Sequence, residues 1–225
     1  MNNKKLTLSL SYYNDFEHLH NHFNVWSKYI EKINIQIIDD GSKERLYKLL
    51  DSKLIEDMGI SIYRVTEDIP WNIPGVRNLG AKVASSKWIL FCDMDQFFLK
   101  KDMSKLVRLL DRGLNEENYY SFQRLNGVRT AGTMMLTQNL FWKAGGYDED
   151  LVGNYGHNDP LFRLQLNSIG SKEIILKKII CQQIEADCQL SRDGNNINLK
   201  KLQKKKNNLP KSQINALNFS WEKEC

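Results

Sequence analysis

Two acidic clusters follow directly on apolar runs. Asp39-Asp40 closes Ile33-Asn-Ile-Gln-Ile-Ile38, and Asp93-Met94-Asp95 closes Trp88-Ile-Leu-Phe-Cys92. Carboxylate oxygens are hard ligands suited to Mg2+ or Mn2+. Such an ion keeps positions open for phosphate oxygens and neutralises charge on a departing diphosphate. Asp93 and Asp95 point to opposite sides if the strand continues, so a turn must bring both to one ion. The plainer alternative is that these aspartates only end a strand and cap the next element. A further acid, Asp159, precedes Pro160 and fits the N-cap of a helix running through Leu166.

The elements that must position these acids are legible from hydropathy. Leu6-Thr-Leu-Ser-Leu-Ser11 alternates with period two and reads as a strand. Phe16, Leu19, Phe23, Trp26 and Ile30 recur every three or four residues, one face of an amphipathic helix. His18, His20 and His22 fall at the rim of that face or opposite it and are expected to be solvated. Ile33–Ile38 is a second strand, after which Ser42 can cap a helix carrying Leu46, Leu49, Leu50 and Leu54. Ile60–Val65 is a third strand, Gly75–Ser86 a helix, and Trp88–Cys92 a short apolar strand. This alternation predicts an α/β fold with a mostly parallel central sheet and helices on both faces. Such sheets bind ligands beyond the carboxyl ends of their strands. Both acid clusters stand at those ends, which predicts an acidic crevice on one edge of the sheet. Further on, the sequence predicts a helix over Lys105–Leu114 and strands over Tyr119–Gln123, Thr133–Leu136 and Glu173–Ile180.

The chain has 225 residues, 41% apolar and 26% charged, which suits one globular domain and excludes wholesale disorder. The longest apolar run, Trp88–Cys92, is far short of the roughly 20 residues that span a bilayer. The basic start Met1–Lys5 is not expected to be a signal peptide. Cys92, Cys181, Cys188 and Cys225 show no CxxC pair and no zinc spacing, so reduced thiols and a cytoplasmic location are expected. The net charge of +5 resides in residues 200–225, which hold seven lysines and two glutamates. A neutral body is not the footprint of a nucleic-acid binder, so no nucleic-acid partner is expected. The expected organisation is a domain over residues 1–199 and a basic C-terminal tail over 200–225, solvated and partly helical. The alternative for the tail is peripheral membrane contact, through its lysines and the apolar Ile214, Leu217, Phe219 and Trp221.

Several stretches together resemble glycosyltransferases of the GT-A fold, most of all family 2. They are Leu8-Ser-Leu-Ser-Tyr-Tyr-Asn-Asp15, Ile37-Ile-Asp-Asp-Gly-Ser42, Gly75-Val-Arg-Asn-Leu-Gly80, Trp88-Ile-Leu-Phe-Cys-Asp-Met-Asp95 and Lys143-Ala-Gly-Gly-Tyr-Asp148, followed by Gly156-His-Asn-Asp159. The resemblance implies a nucleotide-sugar half over about residues 1–100 and an acceptor half over about 101–199. It implies inverting transfer of a sugar from a nucleoside-diphosphate sugar, expected to be UDP-linked, to a hydroxyl of a glycan or glycolipid acceptor, as in polysaccharide biosynthesis.

Under that resemblance Asp93-Met94-Asp95 is the family's DxD motif. Asp95, helped by Asp93, would hold Mn2+ or Mg2+, with Met94 beside the donor. Ser11, Tyr13 and Asp39 would hold the base and ribose, while Asp40 serves the turn. Arg64 and Arg77 are candidates for the nucleotide side, or for ordinary ion pairs. Asn78 and Gly80 lie where a helix packs under the nucleotide. Asp159 would be the general base. Where the family commonly shows Gly-Glu-Asp, this chain has His157-Asn158-Asp159. His157 and Asn158 are therefore candidate acceptor contacts without the usual carboxylate. His157, Glu185 and Asp187 are candidates for a further metal ligand, and Arg124, Asn126 and Arg129 border the acceptor site by position. No Gln-x-x-Arg-Trp motif marks a processive synthase. Two rival readings stay open. One is a nucleotidyltransferase, although Ser11–Asp15 lacks the glycine-rich basic loop those enzymes carry. The other is a non-catalytic carbohydrate-binding protein on the same fold.

Overall fold

The computed structural model describes residues 4–184, 194–209 and 217–225. In strand β1 (Leu6–Tyr12), Leu6, Leu8, Leu10 and Tyr12 pack into the main core with helix α1 (Phe16–Trp26). β1 pairs in parallel with β2 (Ile33–Asp39) on one side and β4 (Trp88–Asp93) on the other, and β2 pairs in parallel with β3 (Ile60–Val65). Their carboxyl ends therefore share one edge. Ser11 lies in register between Ile38 and Asp93, with the two predicted acid clusters to either side of it.

Thr7 and Ser9, which alternate with the apolar residues along β1, are buried too. Helix α4 (Ile73–Val83) covers that face, and Gln36 Nε2 donates to Ser9 Oγ at 3.0 Å and to the Gly80 carbonyl at 2.7 Å. A Cβ at Gly80 would collide with Ser9 Oγ, so glycine permits this close docking. The Thr/Ser alternation marks a helix-docking face, with each buried hydroxyl or amide supplied a partner.

Between these strands lie α2 (Leu46–Leu49) and α3 (Ser52–Met58). The single helix expected after Ser42 is split, because Leu50 is extended and Asp51 caps a new helix by accepting from Lys53 N at 2.8 Å. Ser42 Oγ instead accepts from Asn14 N at 2.9 Å. The second half adds β5 (Gln96–Phe98), α5 (Lys100–Arg112), β6 (Tyr119–Gln123), β7 (Arg129–Thr137), α6 (Gln138–Lys143), α7 (Asn158–Ser168), β8 (Glu173–Gln183), α8 (Asn195–Lys205) and β9 (Trp221–Lys223). The described strands form one nine-stranded sheet in the order β5-β8-β6-β7-β4-β1-β2-β3-β9. The α/β class and the parallel core β4-β1-β2-β3 are as expected. β7 joins β4 antiparallel and begins the mixed half.

Helix α8 runs across the 199/200 boundary expected for the tail. Residues 217–225 continue the sheet, since β9 pairs antiparallel with the outer edge of β3. Leu217, Phe219 and Trp221 pack against the cluster of Ile38, Val65, Val76 and Leu79. An exposed strand edge and an uncovered apolar patch on α4 attract this segment, so these side chains are engaged within the fold. Ile214, Cys188 and the candidate ligands Glu185 and Asp187 lie outside the described residues. Among the described residues no helix is long and apolar enough to cross a membrane.

Candidate active site

A cavity of about 890 Å³ opens beyond the carboxyl ends of β1, β2 and β4. Ser11, Tyr13, Met94, Asp93, Asp95, His157, Asn158 and Asp159 all line it. The structure thus brings together these eight of the site residues expected from sequence. The chain turns at Met94 and Asp95, which lets both acids of the motif face one space.

Arg124, Asn126 and Arg129 do not line it, nor do Asp39, Arg64 and Arg77. Asp39 is fully buried; its Oδ1 accepts from Ser42 N at 2.9 Å and its Oδ2 from Arg64 at 2.6 Å. Arg64 also donates to the Ser42 carbonyl at 2.6 Å, so the pair closes the turn after β2. Asp40 lines the cavity and accepts from Asn72 Nδ2 at 2.9 Å. Of the two aspartates only Asp40 lines the cavity, because Asp39, the last residue of β2, is held under the turn by Ser42 and Arg64. Arg77 is buried beneath the cavity, donating to Asp93 Oδ1 and lying over the Phe91 ring, 5.2 Å from its centroid. It orients an acid of the site.

The cavity concentrates negative charge. Burial pushes the Asp93 carboxyl up to about 6; Arg77 opposes that shift, and the charges of Asp159 and Asp95 add to it. Burial also raises Asp95, against a hydrogen bond from Gln183 Nε2 at 3.2 Å. Asp40 is pushed up to about 7 by burial, with Asn72 opposing and Asp39 and Asp68 reinforcing. Asp159 stands opposite, and Tyr147 donates its hydroxyl to Asp159 Oδ1 at 2.9 Å. Helix α7 begins two residues earlier than expected. Asp159 therefore lies in its first turn, while His157, in the left-handed region at φ 66°, takes the cap position.

The matching family decides what kind of domain this is. The sequence model of Glycosyl transferase family 2 matches residues 10–160, from the second half of β1 to the first turn of α7. The chain belongs to glycosyl transferase family 2. No curated protein matches the chain. Among solved structures, S. aureus TarS 1–349 in complex with UDP-GlcNAc aligns with a TM-score of 0.68 at 13% identity, over 88% of this chain and 65% of that one. TarS 1–349 alone gives 0.64 at 15% identity, over 80% and 60%. The mannosyltransferase PcManGT from Pyrobaculum calidifontis, in complex with GDP-Man and Mn2+, gives 0.62 at 13% identity, over 84% and 59%. This chain spans less than two thirds of each of these three structures. At such identities the likeness establishes the fold, which is GT-A.

Asp93 and Asp95 fit a divalent cation. Both are hard donors lining one cavity, with Asp93 also accepting from Arg77. Among the described residues no group of three His, Cys, Asp or Glu side chains is placed to hold a metal. A two-carboxylate site of this kind suits Mg2+ or Mn2+, which take their remaining ligands from water and phosphate oxygens.

Other residues around the cavity carry no local sequence signal, or only a faint one. His22, expected in solvent, is buried, and its Nε2 donates to the Met94 carbonyl between the two acids at 3.0 Å. Burial lowers it to about 4, so the ring is a neutral donor. Gly132 of β7 lines the cavity, and a Cβ there would stand 2.5 Å from Asp93 Oδ2 and 3.1 Å from an Arg77 nitrogen. A glycine inside a strand was the available signal for that close approach. Asn198 of α8 donates to the carbonyls of Leu151, Asn154 and Gly156 at 2.8–3.0 Å, pinning the loop before Asp159. The described non-glycine residues with positive φ are Asn14, Trp71 and His157, and all three line the cavity. Backbone strain of that kind concentrates at functional sites.

Proposed function

We propose that the chain is a metal-dependent, inverting glycosyltransferase that moves a sugar from a nucleoside-diphosphate sugar to a hydroxyl of a glycan or glycolipid. The observation that carries this reading is the single cavity lined by Asp93, Asp95 and Asp159 at the carboxyl edge of the parallel strands. TarS with UDP-GlcNAc and PcManGT with GDP-Man and Mn2+ support a nucleotide-sugar donor and a divalent metal by analogy. A UDP-linked donor is the first choice.

Asp95, with Asp93, would hold the cation, which when bound supplies charge neutralisation to the leaving diphosphate. Of the residues lining the cavity, Ser11, Tyr13 and Asp40 would face the donor, and His157 and Asn158 the acceptor. Asp159 accepts the proton of the acceptor hydroxyl as that oxygen bonds to the anomeric carbon. The bond from the anomeric carbon to the diphosphate oxygen breaks on the opposite face, and its electron pair leaves with the nucleotide. One displacement inverts the anomeric centre, through a transition state resembling an oxocarbenium ion.

Thermal shift with a panel of nucleotide-sugars and Mn2+ identifies the donor. Asp95→Ala is expected to abolish the Mn2+-dependent part of the stabilisation, and an unchanged shift removes Asp95 as a ligand. Asp159→Asn is expected to keep donor affinity and lose transfer by about 10²-fold or more. Full transfer by that variant excludes Asp159 as the base. A product with retained anomeric configuration by NMR contradicts the inverting course.

A further inference from the structure

Two adjacent residues of α4 reach toward different acids of the cavity, Asp93 directly and Asp159 through Tyr147. Arg77 donates to Asp93 Oδ1. Asn78 grips Tyr147 by its main chain: Oδ1 accepts from Tyr147 N at 2.8 Å, and Nδ2 donates to the Tyr147 carbonyl at 2.9 Å and to Glu149 Oε1 at 2.8 Å. The Tyr147 ring is fully buried and stacks on Phe162 of α7, with centroids 4.4 Å apart and planes 24° apart. Phenylalanine would fill the same stack, so the hydroxyl is the feature packing does not explain. A buried hydroxyl needs a partner. Here the partner is Asp159 Oδ1 at 2.9 Å, the other choice being the weakly accepting Met134 Sδ at 3.9 Å.

We infer that Tyr147 is a positioning residue for Asp159, held in turn by Asn78, so that α4 fixes the spacing between the donor-side acid Asp93 and the acceptor-side base. The inference rests on the reading of Asp159 as general base. The phenol hydrogen bond occupies Oδ1, stops rotation of the carboxylate and leaves Oδ2 to receive the acceptor's proton. Because the ring is buried, water does not replace the bond when it is lost. A misplacement of about 1 Å at a reacting group can cost about a hundredfold in rate.

Tyr147→Phe, which keeps the stack, is the test. The assay uses Mn2+ and whichever of a panel of UDP- and GDP-hexoses releases nucleotide fastest with water as acceptor. The variant is expected to melt within a few degrees of the parent and to keep the donor KM, with kcat reduced about 10- to 100-fold. In an Asp159→Asn background, Tyr147→Phe is expected to lower kcat no further. Unchanged kcat in Tyr147→Phe, beside an inactive Asp159→Asn, overturns the inference and leaves the base intact. An equal fall in both backgrounds shows a packing role and also overturns it. Full activity of Asp159→Asn refutes the base itself, and the inference with it.

Discussion

Asp40 is a carboxyl that burial and neighbouring acids hold at about 7, against an ordinary 3.8. Between those values the folded state keeps a proton that the unfolded state has lost, so stability falls as pH rises through that window. Asp40→Asn removes the cost and keeps an acceptor for Asn72. It is expected to melt higher than the parent at pH 8, by up to about 4 kcal/mol, with the gain vanishing toward pH 4. Melting curves across pH check it, and a pH-independent difference refutes it. Gly132→Ala places a methyl group against Asp93 and Arg77. Calorimetry is expected to show a loss of about 1–3 kcal/mol, with weaker metal-dependent donor binding. At this scale the acids were legible because an Asp after an apolar run is conspicuous. Which of Asp39 and Asp40 lines the cavity was not, because two consecutive carboxylates look alike until the turn decides which one points inward.

Among the elements, α1 and α4 hold the acids from opposite faces of the sheet. α1 does so through His22, a neutral donor to the Met94 carbonyl that is lowered from 6.5 to about 4 by burial. Between those values the unfolded state takes up a proton that the folded state refuses, so this group's stability is present above pH 6.5 and lost as pH falls toward 4. His22→Gln keeps a donor and removes the titration. It is expected to flatten the acid-side decline by up to about 3 kcal/mol, measured as urea midpoints from pH 7 to pH 4.5. An identical decline in parent and variant rules His22 out as the cause. Helical periodicity located α1 well but put His22 at the rim of its apolar face. What buries it is the β4–β5 turn, which comes from 72 residues further along the chain.

Across the whole molecule, the segment 217–225 completes the sheet beside the nucleotide half. Phe219 lies close against Gly75 at the start of α4, and Trp221 meets Tyr63 with centroids 6.2 Å apart. Phe219→Ala is expected to lower stability by about 1–3 kcal/mol, as a half-buried ring should. An unchanged melting temperature would mean that the segment does not dock. The lysines were legible as a charge run, and the apolar residues as able to dock on something. Their target depended on β3 having a free edge, which no local pattern announces.

The order of strands and helices and the carboxyl-edge crevice with Asp93 and Asp95 are written in the sequence, because period-two and period-3.6 patterns and acids after apolar runs are local signals, whereas Asp159 was expected there only through the resemblance to family 2. Tertiary structure alone decided which carboxylate Arg77 and Arg64 each hold, that His22 is inside, that Tyr147 reaches Asp159, and that the basic tail ends as a strand. Each of these depends on which distant surface covers a side chain, and hydropathy records only that a residue can be covered.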